Sequence, residues 1–233
     1  MEGLESMGEV LATEAERKGY DGFVLEFPPQ ASVVVLQAAV RAGRNRGLDL
    51  KFIQVVAAGT TLSPQLAEVA TPLIHRFMVM TYDYGKSKRL SEWVPNAPIE
   101  WVRAAVEALA PEGAPWAAVL AAPSGAMAAT AMRRKVLMGI PFFGYDNDQA
   151  VAAHDMEALC RGVWSEGREP QVEWDAHARE HVLQYVDPAG ALHRATYPTP
   201  LSVQERLELA QELGVGVAIW EVGQGMPYLF DVL

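Results

Sequence analysis

The chain has one cysteine, Cys160, so no disulfide can form within it, and cysteine usage leaves the compartment open. The thiol reads as a small buried apolar group. A long apolar run is also missing. The longest uncharged stretch, "WAAVLAAPSGAMAATAM" from Trp116 to Met132, is broken by Pro123, Ser124 and Gly125, and its many alanines contribute little to membrane insertion. It reads as a low-complexity surface insertion. No signal peptide opens the sequence as given, because "MEGLESMGEVLATEAERKGY" carries Glu2, Glu5, Glu9, Glu14 and Glu16 where an apolar h-region admits none. Basic charge is scarce too. With 19 Lys and Arg against 29 Asp and Glu, a formal net charge of −10, the surface is not built to follow phosphates. Nucleic acid is therefore excluded as a partner class, and neutral or cationic partners fit better.

What is present is enough for a sizeable core. Half of the 233 residues are hydrophobic, which suits one large α/β domain or two small ones. Leu4, Met7, Val10, Leu11 and Ala15 recur at helical spacing before Gly19, which can cap a helix with positive φ. "YDGFVLEF" then reads as a strand, "ASVVVLQAAVRAGRNRG" as a helix ended by Gly47, and "LDLKFIQVVAAG" as a second buried strand. Helical "SPQLAEVATPL" leads to a third strand, "FMVMTYDYG". In the next helix Ile99, Val102, Ala105, Val106 and Leu109 form one apolar stripe. "KVLMGIPFFG" is a fourth strand. A polar region follows, with a hairpin expected in "HVLQYVDPAGALHRATY" because Asp187, Pro188 and Gly190 supply turn chemistry. "SVQERLELAQELG" opens with a capping box from Ser202 to Glu205, stops at Gly214, and feeds a fifth strand, "VGVAIWEVG".

Strands alternating with helices imply parallel β/α units, and nearly continuous apolar strands imply that both sheet faces are covered. The strand ends carry Glu26, Thr81 to Asp83, Pro141 to Phe143, and Trp220 with Glu221. Flat rings beside carboxylates suit sugars, whose C–H faces lie on rings while their hydroxyls take directional hydrogen bonds. The competing reading makes Tyr82, Phe143 and Trp220 ordinary core aromatics, the commoner fate of such residues.

"YDGFVLEF", "FMVMTYDYG", "PNAPIEWV", "KVLMGIPFFG" and "GVAIWEVGQG" stand in the order, and at the strand ends, of the chitinases, and the sequence resembles glycoside hydrolase family 18. A chitinase-like branch of that family is matched further by "WDAHAREHVLQY", "YPTPLSVQERLELAQELGVGVAIWE" and "GQGMPYLFDVL". The resemblance covers roughly residues 3–233 and implies an α/β fold, a partial (β/α)₈ TIM barrel. Strands four to eight are expected, with a small α+β insertion before the last helix. It implies a single, N-terminally incomplete domain over 1–233, with an Ala/Pro-rich insertion at 111–132 and an inserted hairpin-containing region at 145–199. An arc of this kind leaves the edge at "FVLE" open to a protein partner or to self-association.

Family 18 chitinases carry Asp-Gly-x-Asp-x-Asp-x-Glu on the strand matched by "DGFVLEFP". The last Glu is the general acid, and the substrate's own acetamido group is the nucleophile. Matching Asp21 and Gly22 puts Val24 at the second Asp, Glu26 at the third and Pro28 at the catalytic Glu, so no catalytic residue is carried over and the site is degenerate. Two residues along a strand cover ~6.6 Å, which leaves Glu26 that far from the acid's station. It reads as a buried carboxylate bonded to Tyr82 or Asp83. The resemblance implies that Tyr82 and Asp83 contact an acetamido group, that Met80 lines the same pocket and that Trp220 forms the floor. Phe143 replaces a tyrosine of active relatives, and Tyr197, Pro198 and Thr199 replace an aromatic followed by acids. "HAREH", His177 to His181, matches the inverted zinc-protease pattern, but no third ligand is evident, so no metal or other cofactor is expected. The expected function is binding of chitin or an oligosaccharide without hydrolysis, through Met80, Tyr82, Asp83, Phe143, Trp220 and Glu26. The alternatives are a weak glycosidase using Glu26 and a protein-interaction scaffold. The resemblance also implies a secreted, endomembrane or lysosomal setting.

Overall fold

The computed structural model of the protein describes residues 2–88, 93–111, 130–165 and 170–233. Apart from its edges, the expected insertion at 111–132 lies outside the described residues. The chain forms two compact units, the first made of residues 1–80 with 106–137 and the second of 81–105 with 138–233.

In the first unit, α1 (Glu2–Lys18), α2 (Pro29–Asn45) and α3 (Pro64–Ala70) alternate with β1 (Gly22–Leu25), β2 (Lys51–Ala57) and β3 (Arg76–Met80). The strands are parallel and stand in sequence order, with Phe23 beside Phe52 and Gln54 beside Phe77. Sequential parallel order is what a singly wound β/α arrangement requires; a doubly wound sheet would reverse direction at a switch point. Gly19 and Gly47 take positive φ at the ends of α1 and α2, as expected. Lys135 runs back to the carbonyls of Thr71 and Ile74, at 2.6 and 2.7 Å, and satisfies acceptors at the C-terminal end of α3.

The buried stripe of α1 differs from the expected one. Val10 is 65% exposed and Met7 is also exposed, while Gly8, Ala12 and Ala15 are buried. Small residues line this face because α1 crosses α2 closely. A methyl group at Gly8 would stand 2.4 Å from Ala38 Cβ and 2.6 Å from the Ala39 nitrogen. Periodicity that weights large apolar side chains misses a face chosen for its lack of bulk.

The second unit continues β4 (Val136–Pro141), whose first two residues belong to the first unit. Beside it lies β10 (Gly216–Trp220), joined where the Phe142 N–H donates to the Trp220 carbonyl at 2.7 Å. A short α4 (Tyr84–Lys88) and α5 (Ile99–Leu109) follow β3, and the expected stripe on α5 is buried from Val102 to Leu109. The polar region holds β5 (Gly144–Asp146), β6 (Gln149–Val151), α6 (Ala153–Ser165), β7 (Gln171–Asp175), β8 (Glu180–Val186) and β9 (Leu192–Thr196). Its five strands form a separate antiparallel sheet in the order β6-β5-β9-β8-β7, and the expected hairpin is β8–β9, turning at Asp187 to Ala191.

The final helix, α7 (Pro200–Leu213), begins earlier than the sequence suggests. Thr199 is its N-cap, accepting from the Ser202 N–H at 3.3 Å, while Ser202 Oγ accepts from the Thr199 N–H at 2.9 Å. Pro200 in the first turn extends the helix because it lacks only an N–H that the helix start would leave unpaired. Ser202 therefore closes a capping box as its third residue and does not open one. Gly214 ends α7 in the left-handed region.

The expectation that both sheet faces are covered holds for the middle strands and not for β1 or β10. Val24 is 62% exposed and Trp220 is 47% exposed. Each of these strands has one neighbour among the described residues, which leaves apolar side chains on one face with nothing to pack against.

Replacing Gly8 by alanine tests the close crossing. Alanine would favour the helix by about 1 kcal/mol, but contacts at 2.4 to 2.8 Å with Ala38 and with backbone atoms of α2 make overpacking the larger effect, at about 1–3 kcal/mol. The expected outcome is a lower urea midpoint for Gly8→Ala; a raised midpoint would show that the helices do not meet there.

Candidate functional site

An aromatic cluster gathers in the second unit, where the chain leaves β3, β4 and β10. Tyr82 is buried and lies parallel to Trp220, with ring centroids 6.5 Å apart at 22°. Phe143 meets Tyr82 edge-on at 5.8 Å and Tyr145 edge-on at 5.7 Å. These separations are those of interacting ring pairs. Tyr82 and Phe143 are buried, as the competing reading had it, and so is Tyr145, while Trp220, which that reading also placed in the core, presents much of its indole to solvent. The peptide bond from Trp220 to Glu221 is cis. Thr81, also buried, donates its hydroxyl to the Gly139 carbonyl at 2.6 Å and ties the exit of β3 to β4.

Asp83 is fixed beside this cluster from two sides. Its backbone sits at φ 63°, a left-handed conformation that aspartate tolerates better than most residues. Its N–H donates to Asn96 Oδ1 at 2.8 Å, and its carboxylate accepts a short hydrogen bond from the Tyr145 hydroxyl. Lys86 places its ammonium 4.7 Å from the centre of the Tyr145 ring. Sequence reasoning assigned no role to Asn96 or Tyr145. Asn96 was visible within "PNAPIEWV", but nothing in the spacing shows that its side chain turns back thirteen residues to Asp83.

Glu26 does not take the place expected of it. It lies past the end of β1 and is exposed, not buried. The backbone around it explains the exposure. Buried Gln54 reaches from β2 with Nε2 within 3.2 Å of the Leu25 carbonyl and 2.8 Å of the Phe27 carbonyl. Leu25 is buried, and side chains alternate along an extended chain, so Glu26 falls on the opposite, solvent-facing side. Val24 is exposed on the same alternation, and Pro28 is the N-cap of α2 with φ −54° and ψ 132°. Met80 is the last residue of β3 and is half-buried.

The remaining expectations resolve as follows. Tyr197 is buried and its hydroxyl donates to the Gln224 carbonyl at 2.6 Å and lies 3.2 Å from the Phe142 carbonyl, so it anchors the C-terminal segment to the end of β4. Thr199 serves as the α7 cap. "HAREH" is a turn running into β8: His177 is exposed, and His181 Nδ1 is 2.9 Å from Thr199 Oγ1. Among the described residues no group of three or more His, Cys, Asp and Glu side chains is placed to hold a metal ion, and no helix is long and apolar enough to cross a membrane. Cys160 is half-buried, not fully buried, and burial pushes its thiol upward. It borders a separate apolar concavity of about 240 Å³ lined by Met156, Trp164, Leu183, Ala195 and Tyr228.

Parallel strands alternating with helices define an α/β protein. The chain belongs to a known family: the profile described as glycosyl hydrolases family 18 matches residues 8–225. Among solved structures it is similar to the spore cortex-lytic enzyme SleL of Bacillus cereus, with a TM-score of 0.69 and 18% identity over 97% of this chain and 50% of that one. It is similar also to a chitinase from Chromobacterium violaceum, with a TM-score of 0.66 and 20% identity over 97% of this chain and 68% of that one. The class V chitinase of Nicotiana tobaccum, solved in complex with NAG4, matches with a TM-score of 0.59 and 15% identity over 96% of this chain and 74% of that one. At these identities the likeness is one of fold. The chain spans about half the length of the SleL enzymes of Bacillus cereus and Bacillus megaterium.

The buried phenols give a pH signature. Burial raises Tyr197 from the ordinary 10.0 to about 12, and burial together with the Asp83 carboxylate raises Tyr145. Both phenols hold their protons more tightly in the fold than in the unfolded chain. Their stabilising contribution is therefore complete below about pH 10 and is lost as pH rises from there towards 12. Tyr228 is raised by burial as well, so absorbance at 295 nm should show at least three of the seven tyrosines ionising late, and urea midpoints should fall between pH 10 and 12. Tyr145→Phe should lose one late-titrating group; a midpoint flat across that window would contradict the burial of these hydroxyls.

Proposed function

We propose that this protein binds a chitin-type oligosaccharide against the Trp220 ring and does not cleave it. The observation that carries this reading is the solvent-facing indole, backed by buried Tyr82, whose chain neighbour Asp83 is fixed in both backbone and side chain. Sugar C–H faces stack on such a ring, and the carboxylate accepts from a hydroxyl or an acetamido N–H. Family membership supports the ligand class, as does the NAG4 held in the tobacco relative's structure.

The absence of cleavage rests on position 28. Family 18 chemistry needs a carboxylic acid there, and this chain has Pro28, which carries no proton to give. Glu26, exposed and beyond the strand, is the nearest carboxylate in sequence. The finer reading places the strands as the fourth to eighth of a (β/α)₈ barrel and the chain in the branch of chitinase domain-containing protein 1, the stabilin-interacting chitinase-like protein. "WDAHAREHVLQY" and the C-terminal block support that placement, and a secreted or endomembrane setting goes with it.

Titration with chitotetraose, followed by tryptophan fluorescence, tests the proposal. Quenching is expected, and Trp220→Ala should weaken binding about tenfold, the effect of removing a stacked aromatic worth about 1.4 kcal/mol. No product should appear on long incubation. Saturating sugar without quenching would remove the reading, and turnover abolished by Glu26→Gln would replace it with a glycosidase.

A further inference from the structure

We infer that Glu180, contributed by the antiparallel sheet, is a positioning residue for the Asp83 ligand contact and acts through Asn96. The inference rests on the reading of Asp83 as a saccharide contact but concerns a side chain that reading does not use. Glu180 is buried, and four donors converge on its two oxygens. Oε1 accepts from the Ala97 N–H at 2.8 Å and from the Arg206 guanidinium at 2.8 Å; Oε2 accepts from the Asn96 N–H at 3.0 Å and from the Thr196 hydroxyl at 3.1 Å. Only an ionised carboxylate takes four donors without offering one of its own.

Two of those donors are consecutive backbone N–H groups, so the carboxylate fixes the position and tilt of the peptide between Asn96 and Ala97. The Asn96 side chain then has one way to point. Its Oδ1 accepts from the Asp83 N–H, its Nδ2 donates to the Phe143 carbonyl at 3.2 Å, and its backbone carbonyl accepts from the Tyr84 N–H at 2.9 Å. Asn96 thereby holds residues 83 and 84 on one side and 143 on the other. The left-handed turn at Asp83 is one that a non-glycine residue keeps only when its surroundings over-determine it. Arg206 completes the clamp from α7, donating to the carbonyls of Ala97, at 2.5 Å, and Ser202, at 2.8 Å.

A purely structural ion pair would change global stability and leave Asp83 no more mobile than its neighbours. The positioning role predicts a local effect. In the full chain the pair variant Glu180→Gln/Arg206→Met removes the clamp without stranding a buried charge. Measured by NMR, amide exchange at Asp83 should quicken at least tenfold relative to Met138 in β4. Chitotetraose affinity should fall about tenfold, with no further loss when the pair variant is added to Asp83→Ala. Unchanged relative exchange at Asp83, or a full tenfold loss persisting in the Asp83→Ala background, would overturn the assignment. Should wild type bind no chitotetraose, the saccharide reading fails while the exchange comparison still decides the positioning role. Should the pair variant not fold, Thr196→Val removes one hydroxyl from the oxygen that receives the Asn96 N–H. About a threefold quickening at Asp83 is then expected, and none would overturn the inference.

Discussion

The second unit is organised around an ion pair withdrawn from water. Arg206 and Glu180 are both buried, and each is surrounded by groups that complete its hydrogen bonding: carbonyls of residues 97, 179 and 202 for the guanidinium, N–H groups and a hydroxyl for the carboxylate. Such a pair adds little net stability compared with apolar residues of the same shape, because desolvation offsets the attraction. Losing one partner strands a buried charge, at about 3–5 kcal/mol. What the pair supplies is specificity of arrangement. Helix α7, strand β8 and the approach to α5 can meet in one geometry that satisfies every donor and acceptor, and the loop carrying Asp83 inherits that geometry.

Much of the α/β arrangement could be read from the chain because parallel strands announce themselves as short apolar runs, and helix ends as Gly19, Gly47 and Gly214. The errors have physical causes. The buried face of α1 is made of Gly8, Ala12 and Ala15, which a search for large apolar residues passes over. The start of α7 lies nearly a turn earlier than the Ser202–Glu205 pattern suggests, because Thr199 is the cap and Pro200 the first helical residue. Helix α6 and strands β5 to β7 lie in a polar stretch where no periodicity stands out.

At the site, residues with a local motif were legible and residues defined by contact were not. Tyr82, Asp83 and Trp220 stand in recognisable strings. Asn96 matters because of a partner thirteen positions back, and Tyr145 because of one sixty-two positions back. Glu180 was hidden inside a pattern that suggested zinc; its chemistry turned out to be anion chemistry with Arg206. Glu26 went wrong in the other direction, since its place in an apolar run suggested burial, whereas alternation from buried Leu25 leaves the carboxylate in solvent.

Pro28 also bears on what a carboxyl group at that position would do. Its φ and ψ are open to glutamate, so the backbone itself would admit one. The position, however, is the N-cap of a helix running from Pro29 to Asn45, where unpaired N–H groups and the aligned peptide dipoles favour a negative charge. A carboxyl group written in there is biased towards ionisation, while a proton donor to a leaving oxygen must stay protonated until the bond breaks. A glutamate placed at position 28 would therefore serve as a proton donor only if the electrostatics of the helix start were re-tuned along with it.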